Sequence, residues 1–344
     1  MSAAAPSRRL LPRPVREFLV ALPFLFPSLF LFGVFVFYPL GKSVYLGFFI
    51  SNPFRTRQIY VGFEQYREIL TSSDFISSLL VTATFTLYTV VPALLLATFL
   101  AVVANQKLPG IAIFRTIFSS TLAASVAISS VFFMVLLRPE IGVMNSVLEG
   151  FGGRANWLLG SVGLPELGFL DYEVNINWLR DGGWAVGEHA SPLDMVAAWF
   201  IDPNWALISV SATTAWMNVG LFTIVLLAGL QTIDEELYES ARIDGAGRWS
   251  EFWHVTLPML SPTLFFATVI GTIFAFQSFG QVQILTSGGP VDATNVMLYS
   301  IFQTGFEPPF RVGAAAVQSL GLFVIMLVLT VAQFRMLSGR VFYR

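Results

Sequence analysis

Long uncharged apolar stretches alternate with short polar segments along this chain. An α-helix of about 20 residues crosses the roughly 30 Å hydrocarbon core of a bilayer, and six apolar stretches reach that length. Because backbone groups in lipid must be hydrogen-bonded within their own segment, each stretch predicts an α-helix. The sequence therefore predicts an all-α integral membrane protein. Its six predicted spans cover residues 18–41, 79–104, 116–137, 206–230, 264–285 and 312–334.

Composition agrees with this class and excludes several others. Hydrophobic residues make up 55% of the 344 residues, charged residues 12%, and the mean hydropathy is +0.72. The absence of cysteine excludes disulfides and thiolate metal sites, and His189 and His254 are too far apart in sequence to indicate a histidine cluster. A net charge of −2 argues against a nucleic-acid partner, which needs a concentrated basic surface. No metal or cofactor is predicted.

The first apolar stretch follows a basic N-terminal segment, residues 1–17, and so resembles a secretory signal. Its apolar run is longer than a cleaved signal allows and more spans follow, so we interpret it as a retained first helix. With six spans, both termini lie on the same side of the membrane, which the positive-inside rule predicts to be cytoplasmic. That side holds most of the basic residues: Arg8, Arg9, Arg13, Arg16, Lys107, Arg115, Arg242, Arg248, Arg335, Arg340 and Arg344.

Charged residues concentrate in the segment between the fourth and fifth spans, residues 231–262, which must face something other than lipid. Thr232 followed by Glu235 forms a capping-box pattern, which predicts the start of a short amphipathic helix. Gly245 and Gly247 predict its end, since glycine favours the position just beyond a helix. The apolar stripe of this helix is formed by Leu237, Tyr238 and Ala241.

A second helical piece is predicted after the glycines, and Pro258 and Pro262 are expected to end it before the fifth span. Two short helices at a sharp angle would then lie at the membrane surface. The alternative is a loop that only anchors two spans in the headgroup region through its aromatic residues. The aromatic face of the second piece is formed by Trp249, Phe252 and Trp253.

The order of residues in this segment resembles the EAA signature of ABC-importer permeases. Ser240 stands where that family usually has alanine, and both side chains are small enough for a helix. The resemblance implies a type I ABC importer permease fold with six transmembrane helices, in which this helix pair docks in a cleft of an ATP-hydrolysing subunit. The matching residues are Glu239-Ser240-Ala241, then Asp244-Gly245-Ala246, then Leu257-Pro258.

Other segments extend the resemblance to most of the chain. Tyr60–Leu70 is similar to the external segment after the family's first helix, Phe114–Phe118 to the start of its third, and Ile284–Pro290 to the turn after its fifth. The end of the chain is similar to that of sugar and glycerol-3-phosphate permeases of the maltose-type group, and its last hundred residues most resemble the glycerol-3-phosphate type. The resemblance implies a heterodimer with a second homologous permease subunit, two ATPase subunits and an external solute-binding protein, in a bacterial or archaeal cytoplasmic membrane.

The chain itself is not predicted to be an enzyme. It contains no G-x-x-x-x-G-K-[ST] loop, so ATP hydrolysis is expected in a separate subunit. A secondary transporter is the alternative of a different class, but it would need an ionisable residue inside the membrane, which the central parts of the spans lack. A membrane-embedded enzyme would need a cluster of acid, base or nucleophile side chains, and the two histidines supply none.

Uncharged polar residues within the spans are the candidates for a solute path. Gln277 and Gln281 are four residues apart and are predicted to share a helix face. Their alternative role, and that of the other candidates, is hydrogen bonding between helices. The candidates are Gln277, Ser278 and Gln281 in the fifth span, Thr214 and Asn218 in the fourth, and Gln318 and Ser319 in the sixth.

Amides and hydroxyls without charges suit a solute that is rich in hydroxyl groups, and Trp216, Phe276 or Phe279 could stack on a sugar ring. A phosphate group would favour arginine or lysine, and neither lies among the candidates. The predicted solute is therefore a neutral carbohydrate. Glycerol-3-phosphate or a related polyol phosphate is the alternative.

Residues 150–205 form an insertion between the third and fourth spans that is too aromatic to be a disordered linker. The resemblance implies contact with the solute-binding protein, because the maltose-type subunit has an external insertion in the same place. A folded cap over the helices is the alternative. A short amphipathic helix is predicted near 192–201. Five of the eight tryptophans lie here: Trp157, Trp178, Trp184, Trp199 and Trp205.

Overall fold

The computed structural model describes residues 13–51, 58–106, 109–139, 142–147, 150, 178–180 and 204–337. Regular structure in these ranges is helical apart from one antiparallel hairpin, β1 (Phe49–Ser51) and β2 (Gln58–Tyr60). Most of the insertion, including the predicted helix at 192–201, lies outside the described residues, as does the chain before residue 13.

The helices begin and end as follows: α1 (Arg13–Phe32), α2 (Tyr38–Leu46), α3 (Glu64–Leu70), α4 (Ser73–Ala104), α5 (Ile111–Ser119), α6 (Val126–Leu136), α7 (Trp205–Leu230), α8 (Glu235–Ile243), α9 (Arg248–Glu251), α10 (Leu257–Phe276), α11 (Gly280–Leu285), α12 (Met297–Phe306) and α13 (Val312–Leu337). Two π-helical segments, Gly33–Phe37 and Phe252–Thr256, join α1 to α2 and α9 to α10. A 3₁₀ turn, Ser120–Ala123, follows α5.

Five of the predicted spans are confirmed as helices long and apolar enough to cross a membrane. The third span is not a straight helix, because Ile111–Ala123 and Val126–Leu136 meet at 101°. Ala124 and Ser125 are extended at the bend, which interrupts the helical hydrogen bonds. Hydroxyls compete for the backbone before it: Ser120 Oγ donates to the Ile117 carbonyl oxygen at 2.6 Å.

The fifth span begins earlier than predicted and is broken. Residues Arg248–Phe276 form one continuous 29-residue span through the π segment, so the prediction that Pro258 and Pro262 end the second piece is wrong. The carbonyl oxygen of Pro258, which Pro262 cannot bond, accepts the Ser261 hydroxyl at 2.6 Å instead. The predicted single helix over 264–285 is also wrong, because the chain leaves the helix after Phe276 and resumes it at α11.

The centre of the protein is the pair α4 and α7, against which α10 packs. One apolar cluster around Phe222, Leu226 and Leu260 joins these three helices. A second around Phe85 and Val282 joins α4 and α7 to α11, and a third joins α4, α10, α12 and α13. The second, fourth, fifth and sixth spans therefore bury part of their surface in these clusters and leave the rest exposed.

Polar contacts join α4 to other helices at two places. Thr82 Oγ1 in α4 accepts the Met297 amide at the start of α12 at 2.8 Å. Arg115 donates from Nε and Nη2 to the Ala104 carbonyl oxygen, at 3.1 and 2.7 Å, at the end of α4. A cation at this position complements the negative end of the helix dipole.

The first span is the most exposed. None of its most apolar stretch, within Ala21–Leu46, is buried by the rest of the chain. Its far end contacts other described elements, since α2 packs on α13 and Tyr66 Oη donates to the Val44 carbonyl oxygen at 2.8 Å. Its phenylalanine-rich surface is therefore open to lipid or to another protein.

Candidate functional site

The first candidate site is the 231–262 loop, which α8, α9 and the π segment build. Gly245 has φ +84°, a left-handed conformation that favours glycine. Its amide bonds the Arg242 carbonyl oxygen at 3.0 Å, and the Ala246 amide bonds that of Ala241 at 2.9 Å. These two bonds form a Schellman motif, so the predicted role of Gly245 as the helix-ending glycine is confirmed. Gly247 has ordinary φ −81° and starts α9.

The predicted capping box is wrong. The helix starts at Glu235, with Asp234 in the N-cap position and no side-chain capping bond there. Thr232 Oγ1 instead donates to the Gly229 carbonyl oxygen at 2.8 Å, closing the end of α7. The Thr232 hydroxyl therefore bonds the end of α7 and not the start of α8. The carboxylates of Glu235 and Glu236 supply the negative charge that favours the start of α8.

Two side-chain pairs join α8 to the helix that follows. Arg242 Nε donates to Glu251 Oε1 at 2.9 Å, and this pairing raises the pKa of the Arg242 guanidinium. Tyr238 Oη and Thr256 Oγ1 lie 3.1 Å apart, with Thr256 only 7% exposed. The predicted aromatic face is present, because Trp249, Phe252 and Trp253 have ring centroids 5.4 to 6.1 Å apart.

The loop presents a surface of mixed character. Ile243 is 85% exposed and Trp249 75% exposed, although both are apolar. Exposed apolar side chains next to carboxylates are typical of a surface that binds another protein. Of the residues that match the EAA signature, Glu239, Ser240, Asp244 and Gly245 are exposed, whereas Ala241, Ala246, Leu257 and Pro258 are partly buried.

The second candidate site lies halfway along the spans, at the break between α10 and α11. Phe276, the last residue of α10, shares an apolar cluster with Leu322 and Met326, which lie near the middle of α13. Ser278 Oγ donates to Gln281 Oε1 at 3.0 Å, and Gln281 Nε2 lies 3.8 Å from the sulfur of Met217 at the centre of α7. This cluster, Ser278–Gln281–Met217, is the polar centre of the described bundle.

The structure does not bring all the predicted path residues together. Gln277 is exposed at the end of α10 and Gln281 is buried in α11, so the predicted shared helix face is wrong. Thr214 is buried and donates to the Val210 carbonyl oxygen at 2.9 Å. Asn218 is partly buried, one residue after Met217.

The candidates in α13 lie elsewhere. Gln318 is 5% exposed and sits between Ala315 and Leu322, on the face that packs against α4 and α12. Ser319 donates to the Ala315 carbonyl oxygen at 2.8 Å. Their positions therefore match the alternative role of packing between helices better than a place beside Gln281.

Ser129 and Ser130 in α6 were missed by sequence reasoning. Both are buried, and their hydroxyls have no hydrogen-bond partner among the described residues. They lie between Val126, which contacts Gly280, and Phe133, whose ring lies 5.4 Å from that of Trp216. The 101° bend turns this face of α6 toward α7 and α11. The hydroxyl-rich sequence before the bend was the feature of the sequence that could have indicated it.

The aromatic residues proposed to stack on a sugar differ in access. Phe276 is 4% exposed and cannot offer a ring face to a solute, so that prediction is wrong. Phe279 packs against Tyr299 and Phe302, with centroids 6.0 and 5.0 Å away. Trp216 is 39% exposed and keeps part of its ring free within this chain.

A small described part of the insertion contacts the bundle. Trp178 Nε1 donates to Asn145 Oδ1 at 2.6 Å, and its ring meets that of Trp205 at 5.1 Å. Asn204 in turn caps α7 by accepting the Leu207 amide at 2.9 Å, and donates to the Ala293 carbonyl oxygen at 3.0 Å. The insertion is therefore anchored where α7 begins.

Comparison with known families decides what this arrangement belongs to. Residues 156–341, more than half of the chain, match the family described as binding-protein-dependent transport system inner membrane component. The chain belongs to this family. The EAA resemblance is thereby confirmed at the level of the family, and a binding-protein-dependent permease is favoured over a secondary transporter or a membrane-embedded enzyme.

Curated relatives of the permease cover nearly its full length. It is 29% identical over 325 residues to the sn-glycerol-3-phosphate transport system permease protein UgpA of Agrobacterium fabrum, covering 94% of this chain and 96% of that one. It is 27% identical over 326 residues to the UgpA protein of Escherichia coli O157:H7, with the same coverage.

Solved structures support the type I permease fold. A bacterial ABC transporter involved in the import of the acidic polysaccharide alginate matches with a TM-score of 0.67, covering 95% of this permease and 98% of that chain at 21% identity. A bacterial alginate ABC transporter in complex with an alginate pentasaccharide-bound periplasmic protein gives 0.66, with 94% and 96% covered, also at 21% identity. At this identity the likeness establishes the fold.

Proposed function

We propose that this permease forms the membrane path for a neutral carbohydrate in an ATP-driven importer, and receives the solute from a solute-binding protein. The observation that carries the proposal is the uncharged Ser278–Gln281–Met217 cluster at mid-depth. The helices around it, α6, α7, α10 and α11, contain no aspartate, glutamate, lysine or arginine. Amide and hydroxyl groups can exchange hydrogen bonds with sugar hydroxyls without the cost of desolvating a charge.

The residues proposed to meet the solute are Gln281, Ser278 and Asn218, with Ser129 and Ser130 on the facing helix. Buried hydroxyls without a partner are costly unless a ligand, water or another chain supplies one. Trp216 supplies a partly free ring near the same serines. An uncharged polar lining with one aromatic ring suits a sugar, which has hydroxyl edges and an apolar face.

The proposed docking surface for the ATP-hydrolysing subunit is the 231–262 loop. Its exposed Glu239 can pair with a basic side chain opposite, and Ile243 can enter an apolar cleft. The Schellman motif at Gly245 fixes the angle at which the chain leaves α8. Docking therefore depends on the shape of the helix end as well as on its charge.

The proposed assembly is a heterodimer of this chain with a similar permease subunit, on two ATPase subunits. The exposed first span supports it, because none of its most apolar stretch within Ala21–Leu46 is buried by the described chain. We place the complex in a bacterial or archaeal cytoplasmic membrane, with both termini and the 231–262 loop in the cytoplasm. The distribution of basic residues supports this orientation.

Import of glycerol-3-phosphate is the second candidate, and the names of the curated relatives favour it. A phosphate at mid-depth would require cationic or strongly donating groups, and the four helices that surround the cluster carry no cation. A partner chain could supply such a group. The charge of the transported solute therefore distinguishes the two candidates.

The test is performed on the complete importer, purified through a tag on this chain and reconstituted in liposomes. Its solute-binding protein is loaded with either a panel of neutral oligosaccharides or glycerol-3-phosphate, and ATP hydrolysis and uptake are measured. We expect stimulation and uptake with a neutral sugar. Stimulation by glycerol-3-phosphate with no active neutral sugar would overturn the carbohydrate assignment, and no co-purifying ATPase would overturn the importer itself.

A further inference from the structure

The two pairs between α8 and the next helix occupy matching positions. Tyr238 and Arg242 are four residues apart and so project from the same face of α8. Their partners, Thr256 and Glu251, are five residues apart, a spacing that would diverge on a regular α-helix.

The π segment removes this mismatch. In π geometry, backbone hydrogen bonds join residues five apart, as the Leu257 amide and the Phe252 carbonyl oxygen do here. The Thr256 hydroxyl also donates to the Glu251 carbonyl oxygen, at 3.3 Å. Glu251 and Thr256 therefore lie one above the other, facing Arg242 and Tyr238. A regular helix over Phe252–Thr256 would present only one of the two partners to α8.

Residues 244–247 join α8 to α9, and the Schellman motif at Gly245 orders the chain where α8 ends. Neither Gly245 nor Gly247 has an atom within 4 Å of where a Cβ would stand, so the connection does not pack against other residues at its glycines. Two side-chain pairs join α8 directly to the segment that follows this connection. The Tyr238–Thr256 pair is partly buried, whereas the Arg242 side chain is 62% exposed and its ion pair is screened by solvent.

The helix to which α8 is fastened continues without interruption to the solute site. Arg248–Phe276 is a single 29-residue span, which at 1.5 Å per residue is about 42 Å long. Its far end is the break at 277–279, beside the Ser278–Gln281 bond. A displacement of α8 is transmitted over this length only if α8 and the long helix move together.

We propose that Tyr238 and Arg242, held to Thr256 and Glu251, are positioning residues that fasten α8 to the long helix and thereby link ATP hydrolysis in the partner subunit to opening at the solute site. This rests on the proposed function, since it takes α8 as the surface that the ATPase moves. The break at 277–279 is the hinge that absorbs the motion. Losing the fastening allows ATP to be hydrolysed while α8 moves alone.

The experiment measures ATP hydrolysed per solute transported by the reconstituted complete importer. Tyr238→Phe and Thr256→Val each remove one hydroxyl and should raise this ratio by about two- to tenfold, the range that loss of one hydrogen bond permits. The double variant should raise it no further than the singles. Tyr45→Phe, at an exposed tyrosine on α2, and Thr116→Val, at an exposed threonine on α5, are matched controls that should leave the ratio unchanged.

A charge exchange tests the exposed pair. Arg242→Glu alone should raise the ratio, and Arg242→Glu combined with Glu251→Arg should return it toward the wild-type value. The proposal is overturned if the double charge exchange has as high a ratio of ATP hydrolysed to solute transported as Arg242→Glu alone. It is also overturned if the effects of Tyr238→Phe and Thr256→Val on this ratio add, because the residues then act separately. Parallel loss of hydrolysis and transport in Tyr238→Phe also overturns it.

Failure of the proposed function would look different. In that case the wild-type complex would itself lack the ATPase or fail to respond to loaded binding protein, and no ratio could be measured. Counting only complexes that retain all subunits separates a folding defect from uncoupling. The ratio reports coupling because a merely destabilising change lowers both rates together.

Discussion

Ser278 donates a 3.0 Å hydrogen bond to Gln281 across the break between α10 and α11. The bond orients the Gln281 amide so that its nitrogen points at the sulfur of Met217, 3.8 Å away. A thioether is a weak acceptor, so the amide N–H groups keep most of their capacity for a stronger one. The hydroxyl oxygen of a sugar bound at this point would be a stronger acceptor than the Met217 sulfur.

Replacing Gln281 by leucine should reduce uptake per assembled complex. The change removes a hydrogen bond to solute worth about 0.5–1.5 kcal/mol, or roughly two- to tenfold in rate. The double Gln277→Leu, Gln281→Leu should be no worse than Gln281→Leu, because Gln277 lies exposed on the other side of the break. Uptake of labelled sugar per complex is the measurement.

The matched control is Gln333→Leu, since Gln333 donates to Thr272 Oγ1 at 3.0 Å and joins α13 to α10. That variant should lower the thermal midpoint and leave turnover per complex unchanged. Normal turnover in Gln281→Leu would remove Gln281 from the solute site, whatever its effect on stability.

Gly245→Ala should weaken ATPase retention although the new methyl group meets no atom. The left-handed conformation at φ +84° costs a residue with a Cβ about 1–2 kcal/mol. Gly245→Asp should be worse, because it adds a charge beside Asp244 at the proposed contact. Gly247→Ala is the control, as its φ of −81° suits alanine. The measurement is the amount of ATPase subunit that co-purifies with each variant. Equal amounts with Gly245→Asp and with the wild type would contradict the docking role of the loop.

Thr82→Val should destabilise the permease by about 1–3 kcal/mol, since it leaves the Met297 amide buried without an acceptor. Thr98→Val is the comparison, because Thr98 donates only within α4, to the Leu94 carbonyl oxygen at 2.7 Å. Its effect should stay within about 0.5 kcal/mol. Thermal midpoints in detergent measure both, and similar midpoints for the two variants would exclude the proposed contribution of Thr82.

Native mass measurement should find one copy of this chain with one copy of a second permease subunit. The first span is exposed along its most apolar stretch, and the proposed complex has two ATPase subunits, to which one chain contributes a single 231–262 loop. Two copies of this chain in a transport-competent complex would show that the heterodimer assignment is wrong.

Sequence patterns predicted some of these features closely and others not at all. The fourth span was predicted as 206–230 and is Trp205–Leu230, because an uncharged run ends at polar residues on both sides. The left-handed Gly245 followed from residue type alone. These are local properties, and local chemistry is sufficient to determine them.

Other features depend on neighbours that the pattern does not reveal. The break at 277–279 lies inside a long uncharged run that predicts one helix, and because of the break Gln277 and Gln281 share no helix face. The contact between Tyr238 and Thr256 joins residues that are 18 apart in sequence. Ser129 and Ser130 lie in the third span, and their burial follows from the bend, which the sequence pattern does not predict.

The break in the fifth span and the bend in the third lie next to each other, and at this depth the permease needs a barrier against ion leakage. A methyl group added at Gly280 would lie 2.8 Å from Val126 Cγ1, so the break in the fifth span adjoins the bend in the third. Hydrocarbon cannot satisfy irregular backbone at membrane depth, and only protein or water can. The resting barrier to protons therefore cannot be made by lipid at this depth. It has to come from protein side chains packed around the two breaks.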